Sequence, residues 1–341
     1  MSTKKQRGLS LDQQAELALP WAIRVAATLR LADFIAGGVT HLEDLASRAQ
    51  VHPGALGMLL RYLSASGIFT ERAPEHFELT HAARMLLDDH PQHLREQLDQ
   101  EGVGGNMDRV WIGLLDSIRT GQAAYRAIYG CTFWEALSTN ASLSAWFHPL
   151  MIRLSTEDAD ALVKSYDWTR VGHIVDVGGG MGSVLAALLH AYPALSGTLI
   201  ELPETAARAQ ATFADRGLLE RCSIVGKSFF EPLPPGKDIY LLSCVLFNWD
   251  DAPAIEILRR CAQAIGPQGR VLILEPLSGQ EPIPRPVTAE ELLTLVLLGG
   301  QIRSLETYAN LAHCADLEIC SAHRLTSGNT LIECAASAYG I

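Results

Sequence analysis

The chain has no two cysteines at CxxC spacing. Its seven, Cys131, Cys222, Cys244, Cys261, Cys314, Cys320 and Cys334, stand singly. That excludes a disulfide frame and a cysteine-based zinc site, and points to reduced thiols in a cytoplasmic protein with no metal. Positive charge is also scarce. The formal net charge is −11, which argues against a nucleic-acid partner and leaves a neutral or cationic small molecule open. Long apolar runs are missing too. LLTLVLLGG is far too short to span a membrane, and nothing behind MSTKKQRGLSLDQQ has the length of a signal peptide. No internal repeat or low-complexity tract is visible. What the chain does have is 341 residues, 48% of them hydrophobic and 19% charged. That suits two domains with large cores, with disorder expected only in the first ten or so residues.

The two halves differ in texture. From Leu17 to about Ala161 the apolar residues recur at helical period. Thr40 is placed to cap HLEDLASRAQ, His52-Pro53-Gly54 turns into ALGMLLRYLSASG, and IFTERAPEHFELT reads as a hairpin turning at Ala73-Pro74. Helix, turn, helix, hairpin is a winged-helix layout. DNA binding would need a basic face, yet residues 40–90 hold four Lys/Arg against seven Asp/Glu. The second helix is apolar on more than one face, as expected of a helix buried against a partner chain. From His173 onward, HIVDVGG, GTLIE, CSIVG, DIYLLSCVLF and RVLILEP alternate with helical stretches, which predicts a doubly wound, Rossmann-like α/β sheet. LEICSAHRLT and TLIECAAS, joined through Gly328, close it as an antiparallel hairpin.

VDVGGGMGS sets Gly178, Gly179, Gly180 and Gly182 between the first of these strands and the next helix. Glycines allow a sharp turn and close approach of backbone N–H groups to a ligand. The spacing also suits a dinucleotide fold, except that Ser183 fills its third position, and Glu201 stands where a ribose-binding carboxylate belongs in either reading. Asp176 separates the readings better. A carboxylate just before the loop faces a cationic, amino-acid-bearing ligand, or else only tethers the loop.

VDVGGGMG, LIELPETAARA, KSFFEPLP, VLFNWDD and ILRRCAQAIGPQGRVLILEP together resemble the small-molecule O-methyltransferases that use S-adenosylmethionine, the caffeate-type enzymes and their bacterial natural-product relatives. The likeness spans almost the whole chain and is greatest to the anthracycline-tailoring branch, through S-x-V-L-x-N-W from Ser243 to Trp249. It implies a homodimer, with residues 1–105 as a winged-helix-like dimerisation domain and 106–341 as a helical, substrate-lining region plus the cofactor domain. It also implies that Asp176, Gly178, Gly179 and Gly180 hold the methionine part of S-adenosyl-L-methionine and Glu201 the ribose. Ser228 and Phe229 would flank the adenine, with Ser243 close by. Ser228 departs from the family's usual aspartate, and Ser144 from an arginine of the anthracycline branch.

The same resemblance puts the family's catalytic histidine at Phe247 and its orienting glutamate at Ile302. Both members of that pair are absent, so the chain does not use the family's base. Methyl transfer to an acidic phenolic or enolic hydroxyl of an aromatic natural product needs no strong base if the reactants are held in line in a dry pocket. Asn248 is then either a direct substrate hydrogen bond or an Asx turn, Trp249 packs the loop, and Asp250 and Asp251 cap the helix after it. Phe147 and Met151 line the acceptor pocket or belong to the core. His148 is a substitute base or a structural histidine. Phe247 and Arg303 face the substrate by the same analogy, Arg303 alternatively being an exposed arginine, and Leu293 replaces a substrate-contacting arginine. A non-methylating relative, hydroxylating or decarboxylating with the same cofactor, is the alternative chemistry. A ligand-sensing winged-helix transcription factor is the alternative of another class.

Overall fold

The structure, a computed structural model, describes residues 10–279 and 285–337. It divides into two compact units, Met1–Arg109 and Val110–Ile341. In the first, Pro53 opens the helix Pro53–Ala65, where its missing N–H is harmless and its φ already helical. The His52 ring accepts from the Ala55 N–H at 3.3 Å and completes the cap. Leu56, Leu60 and Leu63 fall on one face and are buried with Leu42 and Leu45 of the helix Leu42–Ala49. The hairpin β1 (Phe69–Ala73) and β2 (His76–Leu79) adds Phe69 and Phe77 to that core. Pro74 and Glu75 make its turn, Glu75 at a φ of 63°. Met58 and Tyr62, off the buried face, stay exposed. Thr40 does not cap: His41 takes the N-cap position without a side-chain bond, and the Thr40 hydroxyl faces the His76 ring at 3.5 Å.

The second unit is built on a seven-stranded sheet of order β5-β4-β3-β6-β7-β9-β8. Its strands are β3 (His173–Val177), β4 (Ser196–Glu201), β5 (Cys222–Gly226), β6 (Ile239–Ser243), β7 (Arg270–Glu275), β8 (Leu317–Arg324) and β9 (Thr330–Ala336). The first five run parallel, and β9 pairs antiparallel with both β7 and β8. Side chains alternate across a strand, so Ile174, Leu241, Leu272 and Leu274 enter one core while Val175, Val177, Tyr240, Leu242, Val271 and Ile273 enter another. A sheet buried on both faces needs such continuous apolar strands. Gly328, at a φ of 99°, turns β8 into β9. From β3 the chain moves outward through β4 to β5, then returns to the other side of β3 at β6. At this reversal the connections leaving β3 and β6 part to opposite sides and open a crevice at the strands' carboxyl ends. Among the described residues no helix is long and apolar enough to cross a membrane.

Candidate functional site

Three loops meet at that crevice. The first leaves β3 through Gly178, whose φ of 71° is a conformation glycine adopts freely and other residues resist. A Cβ on Gly178 would lie 3.1 Å from the Phe229 ring and 3.3 Å from Val245, so this glycine seats all three loops together. Asp176 is fully buried beneath Gly179, and neither of its carboxylate oxygens has a hydrogen-bond partner among the described residues. Burial, and secondly the negative charge of Glu201, pushes it up to about 7. Glu201 ends β4 and accepts from the Gly180 N–H at 3.1 Å and the Leu202 N–H at 2.8 Å. Burial raises its pKa against the pull of those two N–H groups, and among the described residues no cation acts on either carboxylate. Two buried acidic groups at one glycine loop, with no counter-charge among the described residues, favour a ligand that brings positive charge.

The second loop follows β5. Phe229 and Phe230 pack together and against Trp249, whose ring stands nearly perpendicular to both at 5.9 and 5.2 Å between centroids. The Ser228 hydroxyl oxygen accepts from the Phe230 N–H at 3.2 Å, so part of its capacity is used within the loop. Ser243, half-buried at the end of β6, opens the third loop, and Cys244 next to it adopts a φ of 54°.

In the third loop the Asn248 amide N–H donates to the Cys244 carbonyl at 3.0 Å. The Glu275 carboxylate, at the end of β7, accepts from the Val245 and Leu246 N–H groups at 2.9 and 2.7 Å. Burial pushes Glu275 up to about 8 against those bonds. Arg303 is only 2% exposed and donates to the carbonyls of Leu246 and Trp249 and to Asp251. It is therefore neither exposed nor free for a ligand: the loop engages Nε and both terminal nitrogens. Asp250 does occupy the N-cap of the helix Asp251–Ala264, but without a side-chain bond, and Asp251 pairs with Arg303 instead.

The helix Ala141–Ser165 carries the other candidates. Phe147 and Met151 are half-buried, and the Phe147 ring neighbours are Phe133, Trp134 and His148. His148 is buried, and desolvation, aided by the positive Arg208, lowers its pKa. Ser144, also buried, donates its hydroxyl to the Leu137 carbonyl. Farther along, Asp158 accepts from the Asn329 amide at 2.8 Å and contacts the Cys244 thiol at 3.8 Å, which ties this helix to the third loop and the terminal hairpin.

Residues 111–317 match the O-methyltransferase domain, and residues 12–89 the O-methyltransferase dimerisation domain. The chain belongs to the S-adenosylmethionine-dependent O-methyltransferase family. It is 43% identical, over 95% of its length and 96% of the relative's, to 2,7-dihydroxy-5-methyl-1-naphthoate 7-O-methyltransferase of Streptomyces carzinostaticus. Aclacinomycin 10-hydroxylase RdmB of Streptomyces purpurascens is 39% identical over 97% of this chain and 89% of its own. Among solved structures, the neocarzinostatin O-methyltransferase NcsB1 in complex with S-adenosylmethionine and 2-hydroxy-5-methyl naphthoic acid superposes with a TM-score of 0.86. That pair is 42% identical, covering 97% of this chain and 99% of the other.

The methyltransferase thus brings Asp176, Gly178 to Gly180, Glu201, Phe229 and the Ser243–Asp251 loop to one crevice. Reasoning from the sequence missed Glu275, Gln301, Asp158 and Asn329. Glu275 left one signal, a carboxylate ending the apolar strand RVLILE. Asn329 left none, because it meets Asp158 from 171 residues away.

Proposed function

We propose that this enzyme methylates an acidic phenolic or enolic hydroxyl of an aromatic natural product, and that it does so without a histidine base. At the coarser level it is an S-adenosylmethionine-dependent O-methyltransferase of aromatic natural products, like the relatives it matches. The observation that carries the finer reading is the loop tip. Phe247, Asn248 and Trp249 hold no group that titrates near neutral pH. The loop's buried carboxylate neighbour, Glu275, is bound to backbone N–H groups.

The residues present fit the cofactor, since the buried Asp176, whose oxygens have no partner among the described residues, suits a ligand bearing sulfonium and ammonium charge, and the strand-end carboxylate of Glu201 suits a ribose diol. When bound, S-adenosylmethionine supplies the electrophilic methyl group. Glu201 takes the ribose hydroxyls, and Asp176 with Gly178, Gly179 and Gly180 takes the methionine part. Phe229 and Ser228 flank the adenine, next to Ser243. On the acceptor side, Asn248 has one amide N–H turned to Cys244 and offers its second amide N–H to the ionised acceptor oxygen. Phe247, Phe147 and Met151 exclude water. Holding an ionised acceptor oxygen in line in a dry pocket is worth roughly 7–11 kcal/mol, enough to dispense with a strong base. The dimerisation-domain match and the exposed Leu17, Trp21, Met58 and Tyr62 support a homodimer formed through the N-terminal unit, whose boundary at Arg109 lies four residues beyond the 105 expected from the sequence.

The hydroxylase relative favours a second reading, in which the cofactor is kept and another reaction is run. Mass spectrometry separates the two. Incubated with S-adenosylmethionine and hydroxynaphthoates such as 1,4-dihydroxy-2-naphthoic acid, the enzyme should yield acceptors that gain one methyl group as the cofactor is consumed. A hydroxylated or decarboxylated product with the cofactor intact would establish the second reading.

A further inference from the structure

A loop that runs from strand to helix without a ladder of its own must pair its backbone polar groups elsewhere. In the loop after β6 they are paired by residues from two other places in the chain. Glu275 Oε1 takes the N–H groups of Val245 and Leu246. Arg303 Nη1 and Nη2 reach the carbonyls of Leu246 and Trp249 at 3.0 and 2.6 Å, and Arg303 Nε reaches Asp251 at 2.9 Å. Between them the Gln301 N–H donates to the Phe247 carbonyl at 2.9 Å, and the Gln301 amide donates to Asp251 at 3.1 Å. Gly300 lies so close that a Cβ would fall 2.1 Å from the Phe247 carbonyl oxygen.

Both sides of this grip have one anchor. Glu275 ends β7, and Arg303 is bridged to Leu277 two residues farther on, with the Ser278 N–H donating to the Arg303 carbonyl at 3.0 Å. The Glu275 carboxyl holds donors of the loop and the Arg303 cation its acceptors, both buried, and the guanidinium's bonds are charge-assisted in a low-dielectric setting. Phe247 and Asn248 lie in the turn held between them, both half-buried. Three N–H groups, two from the Arg303 side chain and one from the Gln301 backbone, converge on the carbonyls of Leu246, Phe247 and Trp249, while Arg303 Nε and the Gln301 amide meet Asp251.

We infer that Glu275 and Arg303 are positioning residues for the methyl transfer, a clamp that fixes the backbone of the acceptor-facing loop so that Phe247 and Asn248 stand at one set distance from the acceptor. This rests on the reading that the loop faces the acceptor. It gives the chain a means of holding reacting groups in line that does not depend on a histidine. A misplacement of about 1 Å at such a site lowers turnover by about a hundredfold.

The experiment measures kcat and acceptor KM on a panel of hydroxynaphthoates and hydroxyquinones, S-adenosylhomocysteine affinity by calorimetry, and thermal unfolding. It compares Arg303→Lys, Glu275→Leu and Glu275→Gln with the milder Gln301→Ala, which opens no buried cavity. Arg303→Lys keeps the charge but loses the fork, and should lower kcat about 10- to 100-fold with acceptor KM and S-adenosylhomocysteine affinity within about threefold. Glu275→Leu should do the same, and Glu275→Gln, which keeps an acceptor oxygen for the two N–H groups, should recover most of the loss. Gln301→Ala should lower kcat a few-fold if the larger variants do not fold. Variants that unfold earlier yet turn over at the wild-type rate while folded, or a Gln301→Ala enzyme with unchanged kcat, would overturn the clamp alone. A wild type that binds S-adenosylhomocysteine but methylates nothing in the panel would overturn the reading beneath it.

Discussion

Replacing Asp176 by asparagine should stabilise the ligand-free enzyme above neutral pH and weaken its hold on S-adenosylmethionine. The carboxyl is fully buried, both oxygens are without a partner among the described residues, and burial and then Glu201 raise it from an ordinary 3.8 to about 7. Unfolded, it ionises near 3.8, so between that pH and about 7 the folded chain binds a proton that the unfolded chain has lost. Stability is therefore present below the unfolded value and is lost as the pH rises through the folded one. A raised value of about three pH units corresponds to about 4 kcal/mol, at 1.36 kcal/mol for each unit. Asparagine has the same shape and does not titrate, but its amide N–H groups find no acceptor and return about 1–3 kcal/mol. The net gain is about 1–3 kcal/mol at pH 8, a rise of a few degrees in Tm, and it should vanish or reverse near pH 5. Cofactor binding should also release about half a proton at pH 7, because a cation beside Asp176 returns it to the ionised form. Thermal unfolding at pH 5 and 8, with calorimetry in two buffers of different ionisation enthalpy, reads both effects. An asparagine variant less stable than wild type at both pH values, or binding heats that do not depend on buffer, would refute the reasoning.

Glu201→Ala should weaken S-adenosylmethionine and S-adenosylhomocysteine by well over tenfold in calorimetry, since the ribose diol loses a charged acceptor. Gly178→Ala should cost about 1–2 kcal/mol of stability for the left-handed backbone alone. Its Cβ, 3.1 Å from Phe229, should displace that ring and reduce cofactor affinity as well, as denaturant unfolding and calorimetry would report. Phe247→Leu should change kcat/KM only a few-fold, with a pH profile that follows the acidity of each acceptor rather than one enzyme group. His148→Ala should be similarly mild; a loss of three or more decades with a pKa that ignores the acceptor would identify His148 as a base. The N-terminal unit should hold the enzyme as a dimer with no folded monomer in sedimentation at low micromolar concentration.

The order of elements was readable from the residues because it depends on local periodicity. Short, mostly apolar runs such as HIVDV and RVLILE, bounded by turn residues, read as strands buried on both faces, and the spacing of Leu56, Leu60 and Leu63 puts them on one face of a helix. The glycine loop and Glu201 were readable for a similar reason: positive φ and a carboxylate at a strand end are properties of single positions. The grip on the loop was not. Arg303 read either as a substrate-facing residue or as an exposed arginine, and Asp251 as a helix cap, because nothing within a few residues of either announces the other. Only the tertiary fold brings the segment after β7 and the chain near residue 300 against the loop after β6. Placing Phe247 where a histidine was expected required one position of sequence. Deciding what holds that position still required the sheet, since buried charges choose partners by proximity in space and their range is set by the low dielectric around them.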